Sequence, residues 1–497
     1  MELEKNVIQD VIANLSFQTK AFIGGRTLSA LSGKTFSTEN PATGQPLADI
    51  AECDEKDVAI AVQCARKAFE DGSWSRMSPA DRKQILFKFA DLIEKHEAEL
   101  AVTESLEAGK PITDCVTIDI PETVGCIRWH AEAADKIYDQ ISQTGPDNIG
   151  MIVREPIGVV GAVIPWNFPA LMMAWKIGPA LATGNSVIVK PAELTSLSAL
   201  RIAELSAQAG IPDGVFNVVP GFGETAGRAI GRHMDIDAVT FTGSTEVGRM
   251  FLQYAAESNL KRIVLECGGK SPQVVMGDVA DLDAVASNAV NCIFWNMGEN
   301  CTAGSRLIVH KSIKDTLLEK IIALTAEWKV GNPLDPATKI GSMIEKPHME
   351  KVLSYIEAGK AEGAKLILGG NRVLAETGGY FVEPTIFDNV TNDMKIAREE
   401  IFGPVLAAIT FEDEAEAVAL ANDTPYGLAA SVYTDNVNAA HRLSRALRAG
   451  TVSVNCYSEG DITTPFGGYK ESGFGGRDNG IHAHEQYTEI KTIWMQL

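Results

Sequence analysis

VVGAVIPWNFPALMMAWKIGPALATGNSVIVK, residues 159–190, contains two β-rich runs on either side of an apolar helical segment. The runs at 159–164 and 186–189 are rich in Val and Ile, which favour strands, and the segment near 170–182 has the length of a helix. The same alternation continues with predicted elements at 196–209 (helix), 215–218 (strand), 224–232 (helix), 238–242 (strand) and 245–257 (helix). Strands that alternate with helices are typical of a parallel, doubly wound α/β sheet.

The alternation returns from Gln273 to about residue 453, which predicts a second α/β domain. Before the first domain, residues 20–50 read as short strands, and apolar residues at three- and four-residue spacing predict helices across 55–108 and at 119–139. Apolar and polar residues alternate across the C-terminal residues 489–497, which predicts a strand with no obvious partner in its own domain. We expect that strand to pair elsewhere, for example in another subunit, and a strand that closes its own sheet is the alternative.

Composition narrows the class of protein. The chain has 497 residues, enough for about three domain-sized units. Its 44 basic and 65 acidic residues give a net charge of −21, whereas a nucleic-acid binder that tracks phosphates is basic. The N-terminus is acidic and unlike a signal peptide, and the most apolar run, near 157–189, is interrupted by Asn167, Lys176 and several Pro and Gly. We therefore expect a cytoplasmic enzyme without a nucleic-acid or membrane partner.

The cysteines give no sign of a metal site. None of the eight forms a Cys-x-x-Cys pair, and the eight histidines form no cluster around them. We therefore predict neither a zinc site nor a disulfide framework.

Cys301 differs from the other cysteines in the sequence that surrounds it. Cys301 stands in FWNMGENCTAGSR, residues 294–306, where small residues follow the thiol and leave room for a substrate. A second segment, LECGGKSP at 265–272, supplies the carboxylate of Glu266. A thiol can attack a carbonyl covalently, and a carboxylate base can then assist hydrolysis, so the pair can run a two-step reaction. A lone cysteine is more often inert, so this reading depends on the two segments together.

Two further segments point to a dinucleotide. Gly243 and Ser244 follow an apolar strand and open a helix, where backbone N–H groups favour anions, but the segment lacks the usual Gly-x-Gly-x-x-Gly and is weak by itself. Lys190 and Glu193 follow a strand in IVKPAE, at the end where open α/β sheets bind ligands. A carboxylate there accepts hydrogen bonds from ribose hydroxyls and repels a 2′-phosphate, which favours NAD over NADP. A solvated charged turn is the alternative for this segment.

Six segments in this order resemble the signatures of the aldehyde dehydrogenase superfamily, from about residue 20 to the end. They are PWNFP (165–169), KPAE (190–193), LECGGK (265–270), the Cys301 segment, EEIFGPV (399–405) and PFGGYKESG (465–473). The resemblance implies an α/β fold with two doubly wound parallel-sheet domains and a β oligomerisation segment. It implies a discontinuous NAD-binding domain at 1–137 and 157–266, a catalytic domain at 267–478, and an oligomerisation segment at 138–156 and 479–497. It also implies a homodimer or homotetramer, with the terminal strand and a hairpin near 140–155 crossing between subunits.

The resemblance assigns roles residue by residue. It implies that Cys301 is the nucleophile, Glu266 the base, and Asn167 an oxyanion donor together with the Cys301 backbone N–H. It implies that Lys190 and Glu193 hold the adenosine ribose, that Ser244 meets a phosphate, and that Glu400 and Phe402 position the nicotinamide ribose and ring. The remaining residues expected at the cofactor are Ile164, Trp166, Gly223, Gly227, Phe241, Gly243 and Gly268. Cys267 departs from the family's usual Leu, and we read it as a small buried hydrophobe.

The expected reaction is NAD-dependent oxidation of an aldehyde to a carboxylic acid through a Cys301 thioester. Glu266 favours hydrolysis over transfer of the acyl group to coenzyme A. The chain resembles the γ-glutamyl-γ-aminobutyraldehyde and guanidinobutyraldehyde group, which implies a cationic ω-aminoaldehyde of polyamine catabolism. Residues expected at the substrate tunnel are Asp119, Glu122, Phe168, Trp175, Tyr457, Glu459 and Asp461. A broad-specificity aliphatic aldehyde dehydrogenase is the alternative, because acidic residues are abundant in this chain.

Overall fold

The computed structural model describes residues 4–458 and 460–497. Its first sheet has eight strands, and the five central ones are parallel. From one edge to the other they are Arg26–Leu28, Ala21–Ile23, Phe216–Val218, Ser186–Lys190, Val159–Val163, Ala238–Gly243, Arg262–Cys267 and Gly473–Phe474. The strands at 159–163 and 186–190 are buried along their whole length, as expected for apolar runs covered on both faces.

Helices cover both faces of this sheet. They are Glu55–Asp71, Pro169–Ala182, Leu197–Ala209, Arg228–Arg232 (preceded by a π-helical turn, Gly223–Gly227) and Thr245–Ala256. The strand–helix alternation predicted from residues 159–257 is confirmed, with boundaries within two residues for most elements.

The second sheet has seven strands, all parallel except for one edge strand. In spatial order they are Lys365–Leu368, Thr385–Asp388, Val405–Phe411, Arg306–His310, Pro272–Val275, Ala429–Tyr433 and Thr451–Val454. Its longer helices are Leu282–Phe294, Lys314–Thr325, Lys346–Ala361, Glu414–Asn422 and Val437–Ala446. The predicted second α/β unit is therefore confirmed.

The N-terminal helical region divides where its capping residues predict. Helix Glu55–Asp71 begins at a capping box on Asp54 and ends at Gly72, which has a φ of 76°. The next helices are Pro79–Lys95 and Glu97–Ala108, and the chain then passes through Ile112–Asp114 and a π-helical turn, Cys115–Asp119, into Ile120–Ala133. The last helix ends six residues before the predicted end at 139. Helix Lys5–Asn14 and two small hairpins (Thr35–Asn40 with Gln45–Ala51, and Arg372–Val373 with Phe381–Val382) complete the elements outside the sheets.

The C-terminal strand, Thr488–Gln496, pairs antiparallel with Asn148–Pro156 of the same chain, which pairs in turn with Gln140–Ser142. The strand therefore has one partner within its own chain, and its other edge has no partner among the described residues, so pairing with another subunit stays a prediction. That sheet leaves large apolar side chains exposed, among them Ile141, Ile490 and Trp494. In the described part of the chain, no helix has the length and apolarity needed to cross a membrane.

Candidate active site

The main cavity lies where the strand order of the first sheet reverses. After strand Val159–Val163, the next two strands along the chain, Ser186–Lys190 and Phe216–Val218, are added on one side of it. The chain then crosses back, and strand Ala238–Gly243 pairs with the other side of Val159–Val163. Open α/β sheets bind ligands at the carboxyl ends of strands beside such a point. A cavity of about 270 Å³ lies there, lined by residues that follow these two strands and by the loop that carries Cys301.

Cys301 lies on a tightly wound loop between helix Leu282–Phe294 and strand Arg306–His310. Three consecutive residues, Asn296, Met297 and Gly298, have φ between 50° and 71°, so the chain turns sharply before the thiol. The Cys301 thiol is partly exposed to the cavity, and its Sγ lies 3.8 Å from Asn300 Oδ1. Tyr457 braces this loop, because its hydroxyl lies 2.7 Å from Asn300 Nδ2 and 3.0 Å from Thr302 Oγ1.

Glu266 is a buried carboxylate without a side-chain hydrogen-bond partner among the described residues, and the backbone N–H of Gly468 faces it and favours its charged form. It lies near the end of strand Arg262–Cys267, it lines the cavity, and only 3% of its surface is exposed. Burial raises the pKa of Glu266 well above its usual range, Asp478 raises it further, and Lys176 and Arg477 oppose the shift. Such a carboxyl group is a stronger base than an exposed one once it is ionised.

Asn167 completes the group of catalytic candidates. Its side-chain Nδ2 donates to the backbone carbonyl of Glu299 at 3.0 Å, two residues before Cys301, and the side chain lines the cavity. An amide nitrogen carries two hydrogens, so one remains for a ligand. Cys301, Glu266 and Asn167 therefore line one cavity, as the sequence predicts for a thiol, a base and an oxyanion donor.

Six of the expected cofactor residues line the same cavity: Trp166, Gly243, Ser244, Gly268, Glu400 and Phe402. Burial raises the pKa of Glu400 to about 7, and its Oε1 accepts a hydrogen bond from the Gly269 N–H at 3.0 Å. A Cβ at position 268 would lie 1.9 Å from Glu400 Oε2, so a larger residue there would displace the carboxylate. Phe402 has a φ of 59° and packs edge-on against Trp166, a strained conformation typical of functional sites.

Four others lie at the same edge of the sheet but outside this cavity. Lys190 donates to Glu193 Oε2 at 3.1 Å, and the Glu193 side chain is 38% exposed at the end of its strand. Gly223 and Gly227 bound the π-helical turn after the neighbouring strand, and a Cβ on Gly223 would meet no atom within 4 Å. The open space at Gly223 and the carboxylate of Glu193, which could accept hydrogen bonds from ribose hydroxyls, would suit one end of a dinucleotide.

Two expected cofactor residues are buried and lie outside this cavity, so their contact with a cofactor stays a prediction. Ile164 and Phe241 are 3% and 4% exposed, and neither lines the cavity. Phe241 packs against Phe251 with ring centroids 5.0 Å apart. Ser244 accepts a hydrogen bond from the Val247 N–H and begins helix Thr245–Ala256, so a helix N-terminus borders the cavity.

The expected substrate residues separate into two groups. Glu122, Phe168 and Trp175 line the cavity. Tyr457 and Asp461, with Glu122 and Trp175 again, line an adjoining groove of about 970 Å³. The two volumes adjoin, since Glu122, Leu171, Trp175 and Trp295 line both of them, and we name the larger one the approach groove. Glu459 lies outside the described residues.

The placement of Asp119 differs from the prediction. Its side chain is fully buried, and Oδ2 forms an ion pair with Lys110 Nζ at 2.6 Å. Asp119 lines neither the cavity nor the groove. The expectation that it faces the substrate tunnel is therefore wrong, because the carboxylate turns inward to a lysine.

Sequence reasoning missed a buried pair next to the base. Lys176 and Asp478 form an ion pair with no exposure, and both charges act on Glu266. A lysine in the middle of an otherwise apolar helix, Pro169–Ala182, was the available signal. The apolar lining residues Leu171, Met172, Trp295, Leu428 and Phe466 come from separate segments, and spacing alone does not bring them together.

Comparison with known proteins agrees with this geometry. The aldehyde dehydrogenase family model matches residues 28–493. The chain is 58% identical to aminoacetaldehyde dehydrogenase from Pseudomonas aeruginosa over 485 residues, which is 98% of this chain and 97% of that protein. It superposes with a TM-score of 0.98, at 52% identity and full coverage of both chains, on the crystal structure of γ-glutamyl-γ-aminobutyraldehyde dehydrogenase from Burkholderia cenocepacia. The same TM-score, identity and coverage hold for an indole-3-acetaldehyde dehydrogenase in complex with NAD+. The chain is an oxidoreductase of the aldehyde dehydrogenase family.

Proposed function

We propose that this enzyme oxidises a cationic ω-aminoaldehyde to the carboxylic acid, with Cys301 as nucleophile and NAD as cofactor. The observation that carries the catalytic assignment is the single cavity that Cys301, Glu266 and Asn167 share. γ-Glutamyl-γ-aminobutyraldehyde and guanidinobutyraldehyde, intermediates of polyamine breakdown, are the substrates that we favour.

The residues that would hold NAD come from loops that follow strands of the first sheet and from the loop before strand Val405–Phe411 of the second sheet. Glu193 and Lys190 would hold the adenosine ribose, Ser244 a phosphate, and Glu400 with Phe402 the nicotinamide side. The exposed Glu193 carboxylate supports NAD over NADP, since it would repel a 2′-phosphate. When bound, NAD supplies the acceptor for the hydride that leaves the substrate.

Cys301 and Asn167 carry the first half of the reaction. A thiol of ordinary pKa, about 8.5, is only a few per cent ionised at neutral pH, so a neighbouring base assists it. Glu266 takes the thiol proton directly or through water, and the thiolate adds to the aldehyde carbon. The Asn167 amide and the Cys301 backbone N–H stabilise the oxyanion, where one donor typically contributes about 3–4 kcal/mol. Departure of hydride leaves the acyl group on Cys301 as a thioester.

Glu266 carries the second half. It removes a proton from water, which attacks the thioester carbon, and the carboxylic acid and the Cys301 thiol are released. The absence of side-chain hydrogen-bond partners on this carboxylate, within the described residues, supports the role, because it leaves the carboxylate available to the thiol and to water.

The approach groove supports a cationic substrate. Glu122, Asp114 and Asp461 bring three carboxyl groups to its lining, and Trp175, Trp295 and Trp328 bring aromatic faces. Ammonium and guanidinium groups bind to both kinds of partner. The named relatives that act on an aminoaldehyde support the same substrate class.

An apolar aldehyde is the second candidate. The cavity next to Cys301 is lined by Phe168, Leu171, Met172, Trp175 and Phe466, which also suit an aliphatic or aryl chain. One of the similar structures is an indole-3-acetaldehyde dehydrogenase.

NADH formation against a matched aldehyde panel tests the substrate class. The panel is 4-aminobutanal, 4-guanidinobutanal, the γ-glutamyl derivative of 4-aminobutanal, butanal and indole-3-acetaldehyde. We expect kcat/KM at least tenfold higher for 4-aminobutanal and 4-guanidinobutanal, which carry a net positive charge, than for butanal, about 1.4 kcal/mol in transition-state binding. Glu122→Gln should reduce this ratio, whereas Glu376→Gln, an exposed change that lines neither volume, should not. Equal rates for butanal would favour the broad-specificity alternative.

We also propose that the enzyme is a cytoplasmic homo-oligomer. The edge strand Thr488–Gln496 and its sheet expose Ile141, Ile490, Trp494 and Leu497, an apolar surface of the kind that subunits bury. All eight cysteines lie in described residues and none forms a disulfide, which is typical of a reducing compartment.

A further inference from the structure

Lys110 is a fully buried lysine that contacts the backbone of the oxyanion donor. Its Nζ donates to the Asn167 carbonyl at 3.0 Å, and 1% of the side chain is exposed. The same ammonium lies 2.6 Å from Asp119 Oδ2 and 3.7 Å from the centroid of the Phe168 ring. One charged group therefore touches two consecutive residues of the segment that lines the cavity.

The surroundings explain why a charge is stable there. Burial alone would lower the pKa of Lys110, but Asp119, Cys115 and Glu104 reverse the shift and raise it. The ligand atoms of those three residues lie within 4.8 Å of one another, a grouping that could hold a cation. Lys110 supplies that cation from the protein itself. Glu104 also accepts a hydrogen bond from the Ala170 N–H at 2.7 Å, which ties the same cluster to the start of helix Pro169–Ala182.

The Asn167 peptide has few other constraints on the side of the cavity. Its carbonyl accepts a longer bond, 3.4 Å, from Asn296 Nδ2, and its own side chain reaches the Cys301 loop through Glu299. The bond from Lys110 is the shorter and charge-assisted one, and such bonds are roughly twice as strong as neutral ones. Of the two side chains that hold the Asn167 backbone carbonyl, Lys110 makes the stronger bond, and the side-chain amide extends from the backbone that this bond fixes.

We propose that Lys110, held by Asp119, is a positioning residue that sets the Asn167 amide for oxyanion stabilisation. The inference rests on the proposed role of Asn167. Lys110 touches neither the cavity nor the groove, so its effect passes through Asn167.

A double-mutant cycle tests this. We expect Lys110→Met to lower kcat/KM by about 100-fold, since a misplacement of about 1 Å costs that much. In an Asn167→Ala background, the same change should cost less than threefold. Lys261→Met is the matched control, because Lys261 is also a buried lysine that donates to a backbone carbonyl, that of Gly231 at 2.7 Å. It should cost less than threefold in both backgrounds.

Two further measurements make the outcome decisive. The rate at which iodoacetamide alkylates Cys301 should stay within threefold of the wild type in Lys110→Met, because the thiol itself is unchanged. If Lys110→Met does not fold, Asp119→Asn replaces it in the same cycle. It should lower kcat/KM in the wild-type background and have little effect in the Asn167→Ala background. Equal losses in both backgrounds would overturn the proposal. If Asn167→Ala alone costs nothing, the proposed role of Asn167 fails as well, and the two failures are distinguished by the single variants.

Discussion

Gly268→Ala tests whether the carboxylate of Glu400 is held in place for the cofactor. A Cβ at residue 268 would lie 1.9 Å from Glu400 Oε2, whereas ordinary contacts begin at 3.4 Å, so the carboxylate must withdraw by 1.5 Å. That movement breaks the bond between Glu400 Oε1 and the Gly269 N–H. A misplacement of about 1 Å in a positioned group costs about 100-fold, or about 2.7 kcal/mol. We therefore expect kcat/KM for NAD to fall by about two orders of magnitude.

Two assays separate this effect from damage to the thiol. NADH formation at varied NAD should show the loss, and hydrolysis of 4-nitrophenyl acetate without NAD should stay within threefold of the wild type, because it needs Cys301 and not Glu400. Gly145→Ala is the matched control, since a Cβ there would meet no atom within 4 Å. A kcat/KM for NAD within threefold of the wild type in Gly268→Ala would refute the reasoning.

Three other changes have distinct signatures. Cys301→Ala should abolish both dehydrogenase and esterase activity, and residual turnover near the wild-type rate would remove Cys301 as the nucleophile. Glu266→Gln should slow thioester hydrolysis by two orders of magnitude or more while a burst of NADH remains; deacylation as fast as in the wild type would contradict the assigned role. Because the pKa of Glu266 is raised and the ionised form is the base, wild-type deacylation should increase with pH through a range above that of ordinary carboxylates, and stopped-flow measurements on Glu266→Gln should show that this limb is lost. Trp494→Asp, which puts a charge on the exposed apolar sheet, should shift the mass measured by light scattering toward the monomer, and an unchanged mass would place the subunit contact elsewhere.

The alternation of strands and helices could be predicted because buried parallel strands need continuous apolar runs. Residues 159–163 and 186–190 are such runs, and short turns fix their order along the chain. Helix boundaries at Gly72 and Gly109 follow from glycines with positive φ. The pairing of the C-terminal strand was harder to predict, because its partner at 148–156 lies more than 300 residues away. Alternation of apolar and polar residues indicates a strand but does not specify which other strand pairs with it.

That Cys301, Glu266 and Asn167 line one cavity could be expected, because the chemistry proposed for them depends on residue type at a few short motifs. The cofactor prediction was less selective. Phe241 and Ile164 belong to motifs that border the site, but their side chains point into the core, and strand alternation decides which neighbour faces the ligand. Asp119 was misassigned for a related reason, since the lysine that neutralises it lies nine residues earlier and only the folded chain brings the pair together.

Burial by itself does not identify a functional carboxylate in this protein. Glu107 is as buried as Glu266, and burial raises its pKa to about 7, yet it accepts hydrogen bonds from the N–H groups of Leu197 and Ser198 and from the Ser198 hydroxyl. Those bonds satisfy the start of helix Leu197–Ala209, so Glu107 stabilises the fold. Glu266 has no side-chain donor among the described residues, a backbone N–H of Gly468 faces it, and the carboxylate borders a cavity. A buried carboxylate with so few donors costs stability, and its position beside a cavity and a thiol is what distinguishes Glu266 as a candidate base.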